Sequence, residues 1–217
     1  DRVYVAQRDI FERDMPPVMV FDPEGNYITG WGKGIFRGLH GIFISSDDEV
    51  FVVDTDRHQV FKCTTEGKIL LTLGSGLPAL DEPFNHPSDV AVSDSGEIYV
   101  ADGDGNTRVH KFSKEGVHLL SWGEAGKKKG QFNTPHAVRV HGSRVFIADR
   151  DTPRVMEFTS DGRFVTEWYD ILVRPSALHI DPEGRLIVTD SICRVNTYTL
   201  DGQLISRAHA AAPPHAI

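Results

Sequence analysis

The sequence has few cysteines and no long apolar run, and each shortage narrows the class of protein. Its two cysteines, Cys63 and Cys193, lie far apart in 217 residues and form no CxxC pair. We interpret them as small buried hydrophobic residues, with a disulfide between them as the alternative. No apolar stretch approaches the roughly 20 residues that a membrane helix needs, so we expect no membrane partner.

Clustered basic charge is also lacking. The formal net charge is -8, from 31 acidic and 23 basic residues, and the longest basic run is Lys127–Lys129. A protein that follows a phosphate backbone needs clustered positive charge. We therefore expect no nucleic acid partner.

Helical periodicity is almost absent, and a repeat of about 40 to 50 residues, the period of propeller blades, takes its place. Each repeat contains a turn such as DPEGNYITGWG or SKEGVHLLSWG. Runs that alternate apolar and polar residues, such as EIYVADG and RVHKFS, precede the turn. Such runs, separated by Gly, Asp, Asn and Pro, predict a four-stranded antiparallel meander. The glycine of the turn recurs at Gly25, Gly67, Gly116, Gly162 and Gly202.

Units of this kind pack face to face around an axis, because closing the ring protects the edges of their sheets. We therefore predict an all-β fold, a β-propeller of four-stranded antiparallel blades in which residues 1–217 form a single domain. Five blades' worth of sequence is present, because four units are complete and each terminus supplies part of a further unit. Either these parts join in one blade of a five-bladed ring, or they belong to separate blades of a six-bladed parent. The four complete units open near His40, Ser88, His136 and Ser176.

Three histidines share one position in the repeat. The stretches GLHGIFI, TPHAVRV and PPHAI place His40, His136 and His215 at the start of an innermost strand. That position lies at the mouth of the central channel, so we expect the three imidazoles to converge. Three imidazoles with an open coordination position suit a catalytic zinc or a similar divalent metal. The alternative is that each histidine caps its strand at a polar rim.

The other histidines do not share this phase. His86 is one residue away from it and is left out of the predicted site. The rest lie in strand or turn positions and are predicted to be surface residues: His58, His110, His118, His141, His179 and His209.

Two arginines and one aspartate are predicted to share the rim with the histidines. Arg8 and Arg150 end the segments RVYVAQR and RVFIADR, and Asp104 lies in the equivalent loop of DGDGNTR. A guanidinium beside a metal suits a substrate carboxylate, which it binds as a bidentate pair. Ordinary ion pairs at the rim are the alternative. Four recurrent aspartates end second strands and have a structural interpretation, as acceptors for turn backbone: Asp54, Asp102, Asp149 and Asp190.

The segments GQFNTPHAV, IYVADGDGNTRVHKFS and VFIADRDTPRV resemble NHL-repeat propellers, and in particular peptidyl-α-hydroxyglycine α-amidating lyase. The resemblance covers nearly the whole chain. It implies a six-bladed parent and a catalytic zinc bound by three histidines, corresponding to His40, His136 and His215. It also implies that Arg8 and Arg150 bind or polarise the substrate.

Three positions depart from the family pattern. Asp104 stands where the family has a catalytic tyrosine, Pro213 replaces a methionine, and Ala216 replaces an aspartate that helps to hold a structural calcium. An ordinary aspartate titrates near ~3.9 and a tyrosine near ~10, so the two cannot perform the same proton transfer. Asp104 can serve as a weaker base or as an additional metal ligand.

The activity that the resemblance implies is cleavage of a carbinolamide, N-CH(OH)-COO⁻, into an amide and glyoxylate. We therefore predict an enzyme, a zinc-dependent lyase that breaks the C–N bond of a carbinolamide or a related hydroxylated compound. Its substrate would be a small molecule or a peptide end with a carboxylate, and Arg8, Arg150 and Asp104 are the candidate catalytic residues. The alternative is a non-catalytic NHL propeller that binds a protein through its rim.

Overall fold

The computed structural model describes residues 2–8, 15–80 and 82–211. Within these ranges the regular structure consists of β-strands and one short 3-10 turn at Thr55–Arg57. The strands form five antiparallel sheets, called blades 1 to 5 in chain order. No helix among the described residues is long and apolar enough to cross a membrane.

Each blade is a meander in which consecutive strands pair. Blade 1 contains β1 (Val3–Ala6), β2 (Val18–Phe21) and β3 (Tyr27–Trp31). Blade 2 contains β4 (Leu39–Ile44), β5 (Val50–Asp54), β6 (Gln59–Cys63) and β7 (Ile69–Leu73). Blade 3 contains β8 (Asp89–Val92), β9 (Ile98–Asp102), β10 (Arg108–Phe112) and β11 (His118–Trp122). Blade 4 contains β12 (Pro135–His141), β13 (Arg144–Asp149), β14 (Arg154–Thr159) and β15 (Phe164–Trp168). Blade 5 contains β16 (Pro175–Ile180), β17 (Arg185–Asp190), β18 (Arg194–Thr199) and β19 (Leu204–His209).

The five blades surround one central cavity. This cavity, of about 660 Å³, is lined at its centre by side chains from β1, β4, β8, β12 and β16. Representative residues, one from each blade, are Tyr4, Phe43, Val92, Val140 and Ile180. The predicted all-β propeller of antiparallel blades is therefore confirmed, with five blades present.

Blade 1 has three strands among the described residues, as expected for the N-terminal part of a unit. The two interpretations of the ends differ in whether the C-terminal PPHAI segment pairs beside β1. That segment belongs to residues 212–217, which lie outside the described residues.

Apolar cores lie between neighbouring blades, because alternate side chains of a strand point to opposite faces of its sheet. In β13, Val145 and Ile147 pack in the core shared with blade 3. Phe146 and Ala148 of the same strand pack in the core shared with blade 5. Both faces of the strand are buried, which explains why its sequence is continuously apolar.

The repeated turn joins the last two strands of each blade, and its glycine adopts a left-handed conformation. Gly67 has φ of 86°, which costs glycine little because it has no Cβ. A Cβ at this position would also lie only 2.5 Å from the ring of Trp31, which belongs to the outer strand of blade 1. Gly202 has the same relation to Trp168 of blade 4. The turn glycine therefore permits both the turn and close packing against the preceding blade.

The recurrent aspartates at the ends of second strands are structural, as predicted. Asp54, for example, accepts hydrogen bonds from the backbone N–H groups of Arg37, Gly38 and Arg57. All four aspartates are fully buried. Each joins the loop that enters its blade to the end of the second strand. The corresponding acceptors in blades 3 to 5 are Asp102, Asp149 and Asp190.

Two histidines predicted to be surface residues are instead buried: His58 and His110. His110 is 3.2 Å from Asp102 through Nε2 and 2.6 Å from the Ser121 hydroxyl through Nδ1. In blades 4 and 5 the equivalent aspartate pairs with a buried arginine. The prediction of a surface position was wrong, because a polar side chain can be buried where a partner such as the Asp102 carboxylate accepts its hydrogen bond.

The second buried histidine makes stability depend on pH. Nδ1 of His58 accepts a hydrogen bond of 3.0 Å from the backbone N–H of His86, which requires the neutral ring. Burial, and then the neighbouring His86, lower the pKa of His58 below its usual 6.5. The unfolded chain therefore binds this proton more readily, so the stability that neutral His58 supplies is present above about pH 6.5 and declines as the pH falls below it.

Thermal unfolding should reveal this dependence. Loss of the hydrogen bond to His86 costs about 1 kcal/mol, or a few degrees in Tm for a chain of this size. His58→Asn should flatten the acid side of the Tm profile while preserving stability at pH 8, because asparagine accepts the same bond and tolerates the φ of 54°. His141→Gln, at an exposed position, is the control. An unchanged acid dependence in His58→Asn would refute this explanation.

Candidate metal centre

The first two predicted ligands lie at the start of inner strands, on alternate blades. His40 is the second residue of β4 in blade 2, and His136 is the second residue of β12 in blade 4. In both strands the pairing register shifts at the histidine. A bulge of this kind turns a side chain out of the regular alternation. The two rings meet edge to face with centroids 4.9 Å apart.

Each ring is oriented by the backbone of the next blade. Nδ1 of His40 is 2.7 Å from the carbonyl oxygen of Ser88, and Nδ1 of His136 is 2.7 Å from that of Ser176. A carbonyl oxygen only accepts, so Nδ1 carries the proton in both rings and Nε2 is the basic nitrogen. This arrangement fixes the tautomer that a metal-binding histidine needs and is common among histidine ligands.

Asp104 completes a group of potential ligand atoms. It lies in the loop between β9 and β10, and its Oδ2 is 3.7 Å from Nε2 of His40. His40, Asp104 and His136 each offer one potential ligand atom, and these three atoms lie within 4.8 Å of one another. Tetrahedral zinc with bonds of about 2.0–2.1 Å needs ligand atoms roughly 3.4 Å apart. The observed spacing fits a divalent metal after small side-chain shifts, and the nitrogen and oxygen donors fit zinc.

Arg150 lies on the outer side of Asp104. It follows β13, and its backbone N–H donates to the carbonyl of Thr134, which ties it to the segment that carries His136. Its guanidinium is 3.2 Å from Oδ1 of Asp104. One oxygen of Asp104 therefore faces the histidines and the other faces a cation. This charge–charge contact holds the carboxylate beside the imidazoles.

A glycine allows the loop that carries Asp104 to lie close to the strand that carries His136. A Cβ on Gly103 would lie 2.0 Å from the carbonyl oxygen of Pro135, the residue before His136. The loop that carries Asp104 can therefore reach the histidine strand only without a side chain at residue 103.

Gly103→Ala should destabilise the protein by about 2 kcal/mol or more, because two backbone segments must separate. It should also weaken metal binding, since the clash with Pro135 displaces the neighbouring His136. Chemical unfolding and zinc titration measure the two effects. The control is Gly184→Ala, which has open space around it and so measures only the cost of its left-handed φ of 72°. Equal losses in the two variants would contradict the steric argument.

The structure thus brings together four of the six predicted site residues: His40, Asp104, His136 and Arg150. Arg8 lies beyond the end of β1, is exposed, and forms no ion pair with any other residue that the structure describes. His215 lies outside the described residues, so the position predicted for it is not tested.

Sequence reasoning missed the groups that support these side chains. The carbonyls of Ser88 and Ser176 are backbone atoms, so residue identity gives no signal for them. Asp151 was also missed, although it follows Arg150 directly and accepts a hydrogen bond of 2.7 Å from the Thr134 hydroxyl. A polar residue beside a candidate site residue, in the same loop, was the available signal.

The fold and the repeat together define the class of protein. The family model of the NHL repeat matches residues 84–112, which run from the entry of blade 3 to the end of β10. The chain is a β-propeller that contains an NHL repeat, with a group of potential metal ligands at one mouth of its channel.

Its sequence is similar to two kinds of curated protein. It is 32% identical over 205 residues to NHL repeat-containing protein 3 of Mus musculus, covering 86% of this chain and 57% of the relative. It is 35% identical over 172 residues to peptidyl-alpha-hydroxyglycine alpha-amidating lyase 1 of Drosophila melanogaster, covering 72% of this chain and 32% of the relative. The chain thus spans little more than half the length of the first relative and about a third of the second. The predicted resemblance to NHL propellers and to amidating lyases is confirmed.

Among solved structures, the fold is similar to that of virginiamycin B lyase of Staphylococcus aureus. The TM-score is 0.68 at 17% sequence identity, with 92% of this chain and 66% of that chain covered. At this identity the similarity concerns the fold alone.

Proposed function

We propose that the chain is a metal-dependent lyase that cleaves the C–N bond of a carbinolamide into an amide and glyoxylate. The observation that carries the proposal is the meeting of His40, Asp104 and His136 within 4.8 Å at the channel mouth. The chain's 35% sequence identity to an amidating lyase over 172 residues supports the reaction class. The substrate would be a small molecule or a peptide end with a carboxylate.

The proposed cofactor is zinc or a similar divalent ion. Nε2 of His40 and of His136 would hold it, with Asp104 at its edge and His215 as the further ligand that the resemblance implies. When bound, the ion would supply a Lewis acid that polarises the substrate hydroxyl.

Asp104 and Arg150 would have different tasks. Asp104 would accept the hydroxyl proton through the oxygen that faces His40, since a carboxylate within hydrogen-bond reach can act as a general base. Arg150 would hold Asp104 in place and, with Arg8 as the other candidate cation, bind the substrate carboxylate.

The proposed reaction conserves bonds and electrons. The electron pair of the hydroxyl O–H bond would form the second C–O bond of the new aldehyde, and the electron pair of the C–N bond would leave on the amide nitrogen. That nitrogen gains a proton, so the reaction balances without an oxidant or a reductant.

The proposal is tested by metal content and turnover together. Purified protein should contain one equivalent of zinc by elemental analysis. It should release glyoxylate from N-benzoyl-α-hydroxyglycine faster than buffer does, lose this activity after chelation, and recover it with added zinc. A protein that binds no zinc and releases glyoxylate only at the buffer rate would contradict the proposal.

A protein-binding scaffold is the second candidate function. It is favoured by the relative that covers 86% of the chain, whose name describes its repeats and no reaction. The close pairing of Arg150 with Asp104 also favours it, because a guanidinium already in an ion pair is less available to a substrate. Absence of stoichiometric zinc, with a protein partner bound through the rim, would support this candidate.

A further inference from the structure

A second guanidinium lies outside Arg150 on the same rim. Arg174, directly before β16, places its Nε 3.1 Å from Oδ1 of Asp151. Nε of Arg150 is 3.9 Å from that same oxygen. Asp104, Arg150, Asp151 and Arg174 therefore form a row of alternating charges that leads outward from the two histidines.

The two arginines differ in what they can still bind. The Arg150 side chain is 21% exposed and already contacts Asp104 with a terminal nitrogen. The Arg174 side chain is 55% exposed and contacts Asp151 through Nε. Four of the five donors of a guanidinium are on its two terminal nitrogens. Arg174 has one ion-pair partner among the described residues, Asp151, so its exposed guanidinium can also pair with an incoming carboxylate.

The backbone that presents Arg174 is unusual and firmly held. Arg174 has φ of 50°, a left-handed conformation that is uncommon for a residue with a long side chain. The preceding carbonyl, of Val173, accepts hydrogen bonds from both the backbone N–H and the hydroxyl of Ser191. Strained residues that their surroundings hold in place are frequent at ligand sites. Here the strain directs a charged side chain onto the rim of the channel.

The position of Arg174 in the row indicates which part of a substrate it meets. In a carbinolamide, the α-carboxylate is attached to the same carbon as the reacting hydroxyl, so its cation must adjoin Asp104. Arg150 satisfies that requirement. Arg174 is one ion pair further out, on the solvent side. On the proposed function, the acyl part of a substrate whose carboxylate meets Arg150 would extend along this row, toward Arg174.

We propose that Arg174 is a specificity-determining residue that binds an acidic group on the acyl side of the substrate. The inference rests on the proposed function and names its substrate class: N-acyl-α-hydroxyglycines whose preceding residue carries a carboxylate. Asp151 is the positioning residue, because it holds Arg174 at a fixed distance from Arg150.

The test compares two substrates that differ only in charge, N-acetyl-Glu-α-hydroxyglycine and N-acetyl-Gln-α-hydroxyglycine. The zinc-loaded protein should show a KM about tenfold lower for the Glu substrate, the effect of one charge-assisted contact at an exposed site. Arg174→Gln should remove this preference with kcat nearly unchanged, and Arg174→Lys should retain part of it. Arg185→Gln is the matched control, because Arg185 is also an exposed, ion-paired arginine of blade 5 but begins β17 at the other end of the blade.

A binding measurement separates this inference from the proposed function. Unreactive N-acetyl-Glu-Gly and N-acetyl-Gln-Gly are titrated against the zinc-loaded protein by calorimetry. A Glu preference that Arg174→Gln abolishes would support the site even if neither substrate is turned over, and the lyase proposal alone would then fail. Turnover or binding without a Glu preference, or a preference that survives in Arg174→Gln, would overturn the assignment of Arg174.

Discussion

Replacing His136 with alanine should lower the zinc affinity of the protein by more than about 100-fold. Loss of the group that only orients a ligating histidine already lowers metal affinity by about 10 to 100-fold, and loss of the ligand itself should cost more. His136 is only 2% exposed, so bulk water has little access to replace its nitrogen as a ligand. Competition of the protein with a chromogenic chelator measures the affinity. His40→Ala should produce a loss of the same order, because the two imidazoles are equivalent in the proposed centre.

The matched control is His179→Ala. His179 belongs to β16 but lines the cavity at the other end of the channel, and its pKa is lowered by burial and by Arg139. Its removal should leave zinc affinity unchanged. Thermal unfolding of the metal-free proteins shows whether His136→Ala still folds. Equal zinc binding by folded His136→Ala and His179→Ala would mean that the histidines at the channel mouth do not hold a metal.

Asp104→Asn should lower kcat by about 100 to 10,000-fold, the usual contribution of a general base. The amide has the shape of the carboxylate but cannot accept a proton, and His40 and His136 remain to hold the metal. Glyoxylate release and zinc content are measured on the same preparation. Loss of turnover with zinc retained is the expected result.

Asp104→Tyr is the complementary variant. It restores the residue that the resembling family uses as its catalytic tyrosine, so an ancestry in that family predicts a gain in carbinolamide cleavage over Asp104→Asn. A turnover number for Asp104→Asn equal to that of the original protein would show that Asp104 is a loop residue without a chemical role.

The fold could be predicted from the sequence because its information is local and repeated. The turn glycine at Gly67 and its equivalents, the alternating strands and the buried aspartates recur in nearly every blade, and each repeat supports the interpretation of the others. The phase of the repeat was also sufficient to predict that His40 and His136 meet, since equivalent positions in a propeller lie on one circle around the axis.

The rest of the site depends on contacts between blades that no local pattern encodes. The pairing of Asp151 with Arg174 joins blade 4 to the loop before blade 5, across 23 residues of sequence. Arg8 was predicted to lie at the rim by analogy with Arg150. It is exposed, beyond the end of β1 at Ala6, and its role at the site stays a prediction.

Crystals grown with zinc and measured above and below the zinc absorption edge provide the most direct test of the metal centre. We expect a single strong anomalous peak within bonding distance of Nε2 of His40 and Nε2 of His136, with the Asp104 carboxylate beside it. His215 is expected to supply the next ligand. The absence of an anomalous peak between His40 and His136 in zinc-containing crystals, or zinc bound only at other histidines, would show that these two residues do not form the metal centre.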